Sequence, residues 1–474
     1  MVKVDRDIYD AVIIGAGMSG LVCGCYLAKA GMKVLIAEQH FKPGGYCTSF
    51  KRKGFTFDAA AHSFGSYREG GNMNRVFKEL DLDKRLKIKR YDPSDIIITP
   101  DYKKISFWND LNRTIKELQG AFPHETEIRE FFDFMSSPKP ADIAALRNKT
   151  FKDLLDKYFT DDRLKTILSI ALLINGGLPP SLLSAFTGAQ IFSEFLLDGG
   201  YYPEGGMQAL PDALADRFKE LGGTLLLSCS VKKIKIKDDS VAGVVLEMGD
   251  FIRSKYVISN CDARQTFLKL LGRRVISEEF LQKLDTMVPS LSMFVLYLGI
   301  NKDMASLPKP GCTAWFISHY AIENMYLSSK KRNAGNLQEF LLRVSPDGES
   351  VLAMVLAPFR NTRYWINNKH KLLEAFIKKI EEHTTPELSK HIVYKDAATP
   401  YTLYRYTLNY KGACYGWESI RSQFADPDFI KPPICQNLYL TGHWTTRGLG
   451  VAGVTYIGYN TASLIIKKEK LCYN

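Results

Sequence analysis

The chain has 474 residues, 46% of them apolar and 24% charged. That is the mix of a globular protein with two or three domain-sized units, and it excludes disordered, collagen-like and low-complexity chains. Lys and Arg total 63 against 51 Asp and Glu, a formal charge of +12, so an anionic partner is expected: nucleic acid or an acidic membrane surface.

The N-terminus carries charged residues at positions 3, 5, 6 and 7 and runs directly into a strand, without the apolar region and cleavage site of a secretory signal. The longest apolar run, Ile167 to Ile174, is less than half the roughly 18 residues of a membrane span. Nine scattered cysteines without CxxC spacing read as buried thiols of a reducing compartment, and no metal site is expected. These features predict a cytoplasmic protein and leave open a peripheral contact with an anionic membrane.

Ala11 to Ile14 is a short, mostly β-branched apolar run, read as a buried parallel strand. Gly15-Ala16-Gly17-Met18-Ser19-Gly20 follows, then a helical pattern from Leu21 to Ala30 stopped by Gly31. Residues 33–37 form a second strand ending at Glu38. Strand, GxGxxG, helix, strand and acid together predict a dinucleotide site. Gly15 allows the tight turn, Gly17 a close approach of pyrophosphate, and Gly20 close packing of helix on strand. The pyrophosphate would sit at the helix N-terminus, with Glu38 on a ribose hydroxyl. An α/β turn holding no nucleotide has the same spacing, and both NAD and FAD fit it.

Residues 76–200 read as a largely helical insert, with helices over 151–158 and 164–174. From Pro203 the α/β pattern resumes, with a helix over 208–221 and strands over 224–228, 231–237, 241–247 and 256–259. Strand-like runs at 292–300 and 350–358 and a helix over 370–382 follow. The last forty residues return to strand, the glycine turn Thr441-Gly442, and a helix from Gly453 to Lys467. The predicted fold class is α/β: a Rossmann-like domain assembled from residues 1–75, 201–275 and 430–474. The substrate domain, an α+β unit of sheet and helices, is assigned to residues 76–200 and 276–429.

On Gly15 to Gly20 with Glu38, Pro43-Gly44-Gly45, Tyr202-Pro203-Glu204-Gly205-Gly206-Met207 and the block from Asn437 to Ala462, the chain resembles a known group nearly end to end. That group comprises the phytoene desaturases, carotenoid isomerases and retinol saturases of the flavin amine-oxidase superfamily. The resemblance implies FAD as cofactor. It places Gly44 and Gly45 along the diphosphate and ribityl, the Val231 backbone on adenine, and Gly442 at the ribityl turn. Ala452, Gly453 and Val454 would bring a helix N-terminus to the flavin pyrimidine ring, favouring negative charge at N1 and O2. For Gly458, close packing of the terminal helix is the expected role. Ser19, Gln39, Tyr46, Cys47, Ala61 and His443 complete the implied cofactor site. Relatives commonly have proline where Arg447 and Ala452 stand, glycine at Leu449, an acid at His443, and glycine within Ala59-Ala60-Ala61.

The implied chemistry is hydride exchange at flavin N5 with a long, apolar polyene or isoprenoid lipid: desaturation, saturation or cis–trans isomerisation. A nearby base would take the proton lost in a desaturation. His62 is the candidate, or else a histidine bonded in the domain interface. Tyr201, Tyr202 and Glu204 either approach the site or hold a loop. The aromatics Tyr401, Tyr404, Tyr406, Tyr410, Tyr415 and Trp417 suit an apolar tunnel or an ordinary core. The apolar stretch Leu164 to Leu197 suits either a membrane-dipping insert or core burial. No reader motif accompanies the positive charge, so nucleic acid is excluded. Rival expectations are an amine oxidase, with Tyr415 and Trp417 as members of an aromatic cage, and a non-catalytic prenyl-binding escort. Oligomeric state is not read from the sequence.

Overall fold

The computed structural model describes residues 8–137, 142, 145–146, 148–301, 307–423, 426–445 and 448–470. Arg447, Pro138, Pro140, Cys472 and the charged residues at 3, 5, 6 and 7 lie outside them. Among the described residues, two seven-stranded sheets carry the fold.

The first sheet is built around Tyr9–Ile14, whose inner residues are buried on both faces, as a parallel strand covered from two sides must be. Tyr9–Ile14 pairs in parallel with Val34–Ala37 on one side, Ala11 opposite Val34, and with Phe251–Ser259 on the other, Ala11 opposite Tyr256. Thr224–Leu226 extends the sheet beyond Val34–Ala37, and Leu438–Leu440 pairs with the end of Phe251–Ser259. An antiparallel ribbon, Val231–Lys237 with Ser240–Leu246, closes the far edge. The strands of this sheet therefore come from three separated stretches of chain.

Two helices pack against one another over this sheet, Met18–Lys29 and Gly450–Glu469. Their contact depends on glycine. A Cβ on Gly458 would stand 2.5 Å from the carbonyl oxygen of Ser19. Tyr26 and Tyr459 meet edge to face at 5.1 Å along the same seam.

The second sheet has Ser292–Ile300 and Ser350–Ala357 at its centre, every residue of both being buried. Its faces follow the period of two. Met293, Val295 and Tyr297 face the helical insert, while Phe294, Leu296 and Leu298 face the helix Thr362–His383. That helix begins eight residues earlier than its apolar spacing predicts, because the Asn361 side chain caps it by accepting from the Tyr364 amide.

Within the largely helical residues 76–200, Asp95–Ile98 and Lys104–Phe107 add a strand pair that the sequence reading did not place: they form the edge of the second sheet, with Asp95–Ile98 parallel to Thr313–Ile317. Both runs are too short to announce themselves, and Asp95 obscures the pattern of the first. It is buried and accepts a hydrogen bond from Trp315 Nε1 at 2.7 Å. Of the two readings of Leu164 to Leu197, core burial is the one the fold adopts. The helix Asp162–Gly176, capped by Asp161 and stopped by left-handed Gly177, is buried almost throughout. With Phe192 and Leu196 it covers the Met293 face of the sheet. Among the described residues no helix is long and apolar enough to cross a membrane.

Replacement of Gly458 by Ala forces apart the two glycine-seamed helices. Overpacking of this kind costs about 1–3 kcal/mol. The expected result in a thermal melt is a midpoint lowered by several degrees, together with partial loss of bound flavin; an unchanged melt would show that the seam tolerates a methyl group.

Candidate active site

A cavity of about 770 Å³ opens at the carboxyl ends of the parallel strands and runs on to the second sheet. Its first part is made by the glycine turn. Gly15 adopts φ +98, which releases the chain from strand to helix, and Gly17 starts the Met18–Lys29 helix without any side-chain cap. The amides of that helix's first turn thus lack a capping side chain at the cavity wall formed by Gly17, Met18 and Ser19. Gly44 lies alongside, its amide donating to Ala16 O at 2.9 Å, and both Gly44 and Gly45 line the groove with positive φ. A Cβ on Gly45 would come within 3.6 Å of Gly17 Cα, narrowing the channel between the two strips of backbone. Gly20 is the one predicted site residue off the wall; its place is the tight contact beneath the turn.

Glu38 is fixed by the turn it serves. Its Oε2 accepts from the Ala16 amide at 2.7 Å and its Oε1 from the His40 amide at 2.8 Å. Burial raises its pKa against these bonds. Gln39 and Val231 line the cavity beside it, and the Gln39 amide reaches Tyr406 O at 3.4 Å. Ser19 also lines it, but its hydroxyl is shared with Thr441 Oγ at 2.7 Å, so its backbone is the part available to a ligand.

On the opposite wall stand Gly442 and His443, then Val451, Ala452, Gly453 and Val454 at the start of the Gly450–Glu469 helix. This helix too has no side-chain cap. Two uncapped helix N-termini therefore face one cavity, each presenting the positive end of a macrodipole. Tyr46, Cys47 and Ala61 complete the implied set. Tyr46 donates to Ala413 O at 3.0 Å, Ala61 donates from its amide to Tyr46 O at 3.1 Å, and burial raises the Cys47 thiol to about 12.

His62 lines the same cavity and is buried. Its Nδ1 lies 3.4 Å from Ala60 O, and its Nε2 has no partner among the described residues. Burial, and next the charge of Arg343, lower its pKa to about 3, so the ring is neutral at physiological pH. Burial likewise lowers His443 to about 4.

Tyr201, Tyr202 and Glu204 do not line the cavity. Tyr202 donates to Asp58 at 2.6 Å and Tyr201 to Asp198 at 3.0 Å, while Glu204 is exposed. Of the aromatic stretch, Tyr406 and Tyr415 reach the wall. Trp417 instead packs edge to face on Trp444 at 4.8 Å, in the core behind the first sheet, and is no part of a cage with Tyr415. The far wall consists of Phe50, Met293, Tyr297 and Met354 from the strands and Ile191 and Phe195 from the insert. Among the described residues no cluster of His, Cys, Asp and Glu is placed to hold a metal.

Two residues escaped sequence reasoning. Asn260 follows the strand Phe251–Ser259 and donates to Gly15 O at 3.2 Å, bracing the turn from below, with Gly442 packed on its other side. Its place at the carboxyl end of a parallel strand was the available signal. Arg343 is buried between the rings of Tyr91 and Tyr202 and donates to Thr313 Oγ at 3.0 Å. Nothing local in its strand announces it.

The model of the flavin containing amine oxidoreductases matches residues 18–466. The chain belongs to that family. It is 26% identical to the lycopene-forming phytoene desaturase of Pantoea ananas, over 96% of this chain and 98% of the relative. It is also 26% identical to prolycopene isomerase 2 of an Oncidium hybrid cultivar, over 96% and 83%. A solved double mutant of putrescine oxidase shares the fold, with a TM-score of 0.66 and 15% identity over 97% of this chain and 99% of that one. As a member of this family the chain is an FAD-dependent oxidoreductase. Its residues fit the cofactor: two uncapped helix N-termini suit the diphosphate and the electron-rich edge of a reduced flavin, and Glu38 suits a ribose.

Two outcomes test this site. Asn260→Ala removes the brace under the turn and is expected to weaken FAD binding about tenfold, read by flavin absorbance per protein; full retention would assign the brace to another residue. His62 has a folded pKa below its unfolded value of 6.5, so the unfolded chain binds the extra proton, and His62's contribution to stability falls as pH drops through that window. The melting-temperature difference between wild type and His62→Gln should therefore become less positive from pH 7 to pH 5. A constant difference would mean that His62 is not held neutral.

Proposed function

We propose that this oxidoreductase acts on a long, mostly apolar polyene or isoprenoid lipid. The observation that carries the reading is the continuity of the cavity. One cavity is lined both by the groove between the two helix N-termini and by Phe50, Met293, Tyr297, Met354, Ile191 and Phe195. A wall of this kind binds an extended hydrocarbon body by burial of apolar surface, at roughly 25 cal/mol per Å². The names of two relatives, a phytoene desaturase and a prolycopene isomerase, support the same substrate class.

Bound FAD supplies hydride exchange at its N5. The chain's own residues do the remaining work. Tyr297 is immobilised by donation to Ala59 O at 2.5 Å, which fixes the floor beside the Ala59–Ala61 turn. The Val451–Val454 turn stabilises negative charge through its amides. His62, a neutral residue of the cavity wall whose Nε2 has no partner among the described residues, is the proton acceptor in this reading. Its low basicity makes it a relay, with the proton passed on rather than stored. An amine oxidase remains the second reading, on the family relationship and the shared fold of putrescine oxidase; Trp417's position withdraws one of the two cage members that reading required.

Anaerobic incubation of the FAD-loaded protein with carotenoids, retinoids and primary amines separates the readings. Bleaching of the flavin, or isomerisation without bleaching, is expected with polyenes. Bleaching by amines alone would overturn the proposal. With an active polyene in hand, His62→Gln should lower turnover about a hundredfold at unchanged flavin content; a rate within a few-fold of wild type would remove His62 from proton transfer.

A further inference from the structure

Neither the cofactor groove nor the apolar wall uses the surplus of positive charge or the exposed end of the aromatic stretch at Tyr406. Both meet at one rim of the cavity. Phe41 and Tyr406 line it yet are 69% and 56% exposed, leaving two large rings in water. His40 joins them, its ring 4.3 Å from that of Phe41 and 6.0 Å from that of Tyr406. Lys42 continues the rim, its Nζ donating to Ser49 O at the start of the strand Ser49–Arg52. That strand and Phe55–Asp58 form a hairpin whose two-residue turn, Lys53-Gly54, has positive φ at both positions. The tight turn leaves Lys51, Arg52 and Lys53 exposed at its tip. Arg52 lies 5.6 Å over the ring of Phe50, which ties the tip to the cavity wall. Among the described residues no ion pair neutralises these three cations. Asp396, an acid of the same wall, is already paired with Lys369 at 2.6 Å.

We infer that this rim docks on an anionic lipid surface, with Phe41 and Tyr406 in the headgroup layer and Lys42, Lys51, Arg52 and Lys53 against the lipid charges. The two residue types act together at such a boundary. Aromatic rings gain by leaving water at the headgroup level, and basic side chains bury their stems while keeping their charge at the surface. Each basic residue near an anionic leaflet strengthens binding about fivefold, so a cluster holds where a lone lysine does not. The occupant is a bilayer because the patch borders the opening of a cavity with an apolar wall. A water-insoluble ligand then passes from lipid into protein without crossing water. The insert helices take no part, since their apolar residues are spent on the Met293 face of the second sheet. A hairpin tip and a helix end therefore make the contact, not a dipping helix.

Docking is measured on the FAD-loaded protein with no substrate present, so its outcome is separate from that of the substrate reading. Flotation with vesicles of phosphatidylcholine mixed with phosphatidylserine should show binding that added salt weakens. Binding to phosphatidylcholine alone should be about tenfold weaker or less. Lys51→Glu with Lys53→Glu should cut binding to the mixed vesicles about tenfold or more at unchanged flavin content. Lys330→Glu with Lys331→Glu, the same change of charge on exposed residues away from the cavity lining, should leave it nearly unchanged. Phe41→Trp should place an indole in the lipid, read as emission quenching by brominated acyl chains that the wild type lacks; this variant decides alone if the hairpin variant does not fold. Binding to neither vesicle, equal loss in both charge variants, or an unquenched indole would each overturn the inference.

Discussion

The structure depends on the close crossing of two helices, Met18–Lys29 and Gly450–Glu469, at glycines that allow backbone to touch backbone. The contact joins chain segments more than four hundred residues apart and sets the distance between two uncapped N-termini. Each terminus alone is a weak anion site. Facing one cavity, they create a positive region without a lysine or arginine buried in it, since the cavity's basic residues, Lys42 and Arg52, lie on its outer rim. The formal charge of +12 is accordingly not required at the groove, where uncapped backbone amides already face the cavity.

This division explains the neutral histidines. A protonated ring at His62 or His443 would add a desolvated charge beside two positive helix ends, and burial holds both rings neutral. His443 shares the cavity wall with Glu38, whose carboxylate is tied down by the amides of Ala16 and His40.

How much of this was legible in the sequence follows from how local each device is. The turn from Gly15 to Gly20 and the acid at Glu38 are set by short-range backbone requirements, and the structure brings them together as the spacing implies. The paired glycines Gly44 and Gly45 were assigned to the groove by family resemblance, and both line it. Asp95–Ile98 was not, because its strand identity comes from pairing with Thr313–Ile317, more than two hundred residues away. Leu164 to Leu197 shows a different limit. Its hydrophobicity was plain, but whether lipid or protein covers it depends on the Met293 face of a sheet whose strands lie about a hundred residues downstream. Asn260 and Arg343 were hidden because each acts on a partner distant in sequence, and neither interrupts a local pattern.

Arg343 stands among other buried polar groups. Asp58, at the end of the strand Phe55–Asp58, accepts from Tyr202 and Ser49, each at 2.6 Å, while Asp95, on the second sheet, accepts from Trp315. Burial raises both carboxyls, Asp95 to about 6, and lowers the Arg343 guanidinium. None of the three would be tolerated ionised and alone in that environment. The Arg343 cation lies against the faces of Tyr202 and Tyr91, and its charge favours the ionised form of both carboxyls. The cavity is assembled from both sides: the glycine grooves come from the first sheet, and the floor of Met293, Tyr297 and Met354 comes from the second. After burial, the same cation lowers the basicity of His62, so the second sheet, which carries Arg343, supplies both the floor of the cavity and part of what keeps a histidine on its wall neutral.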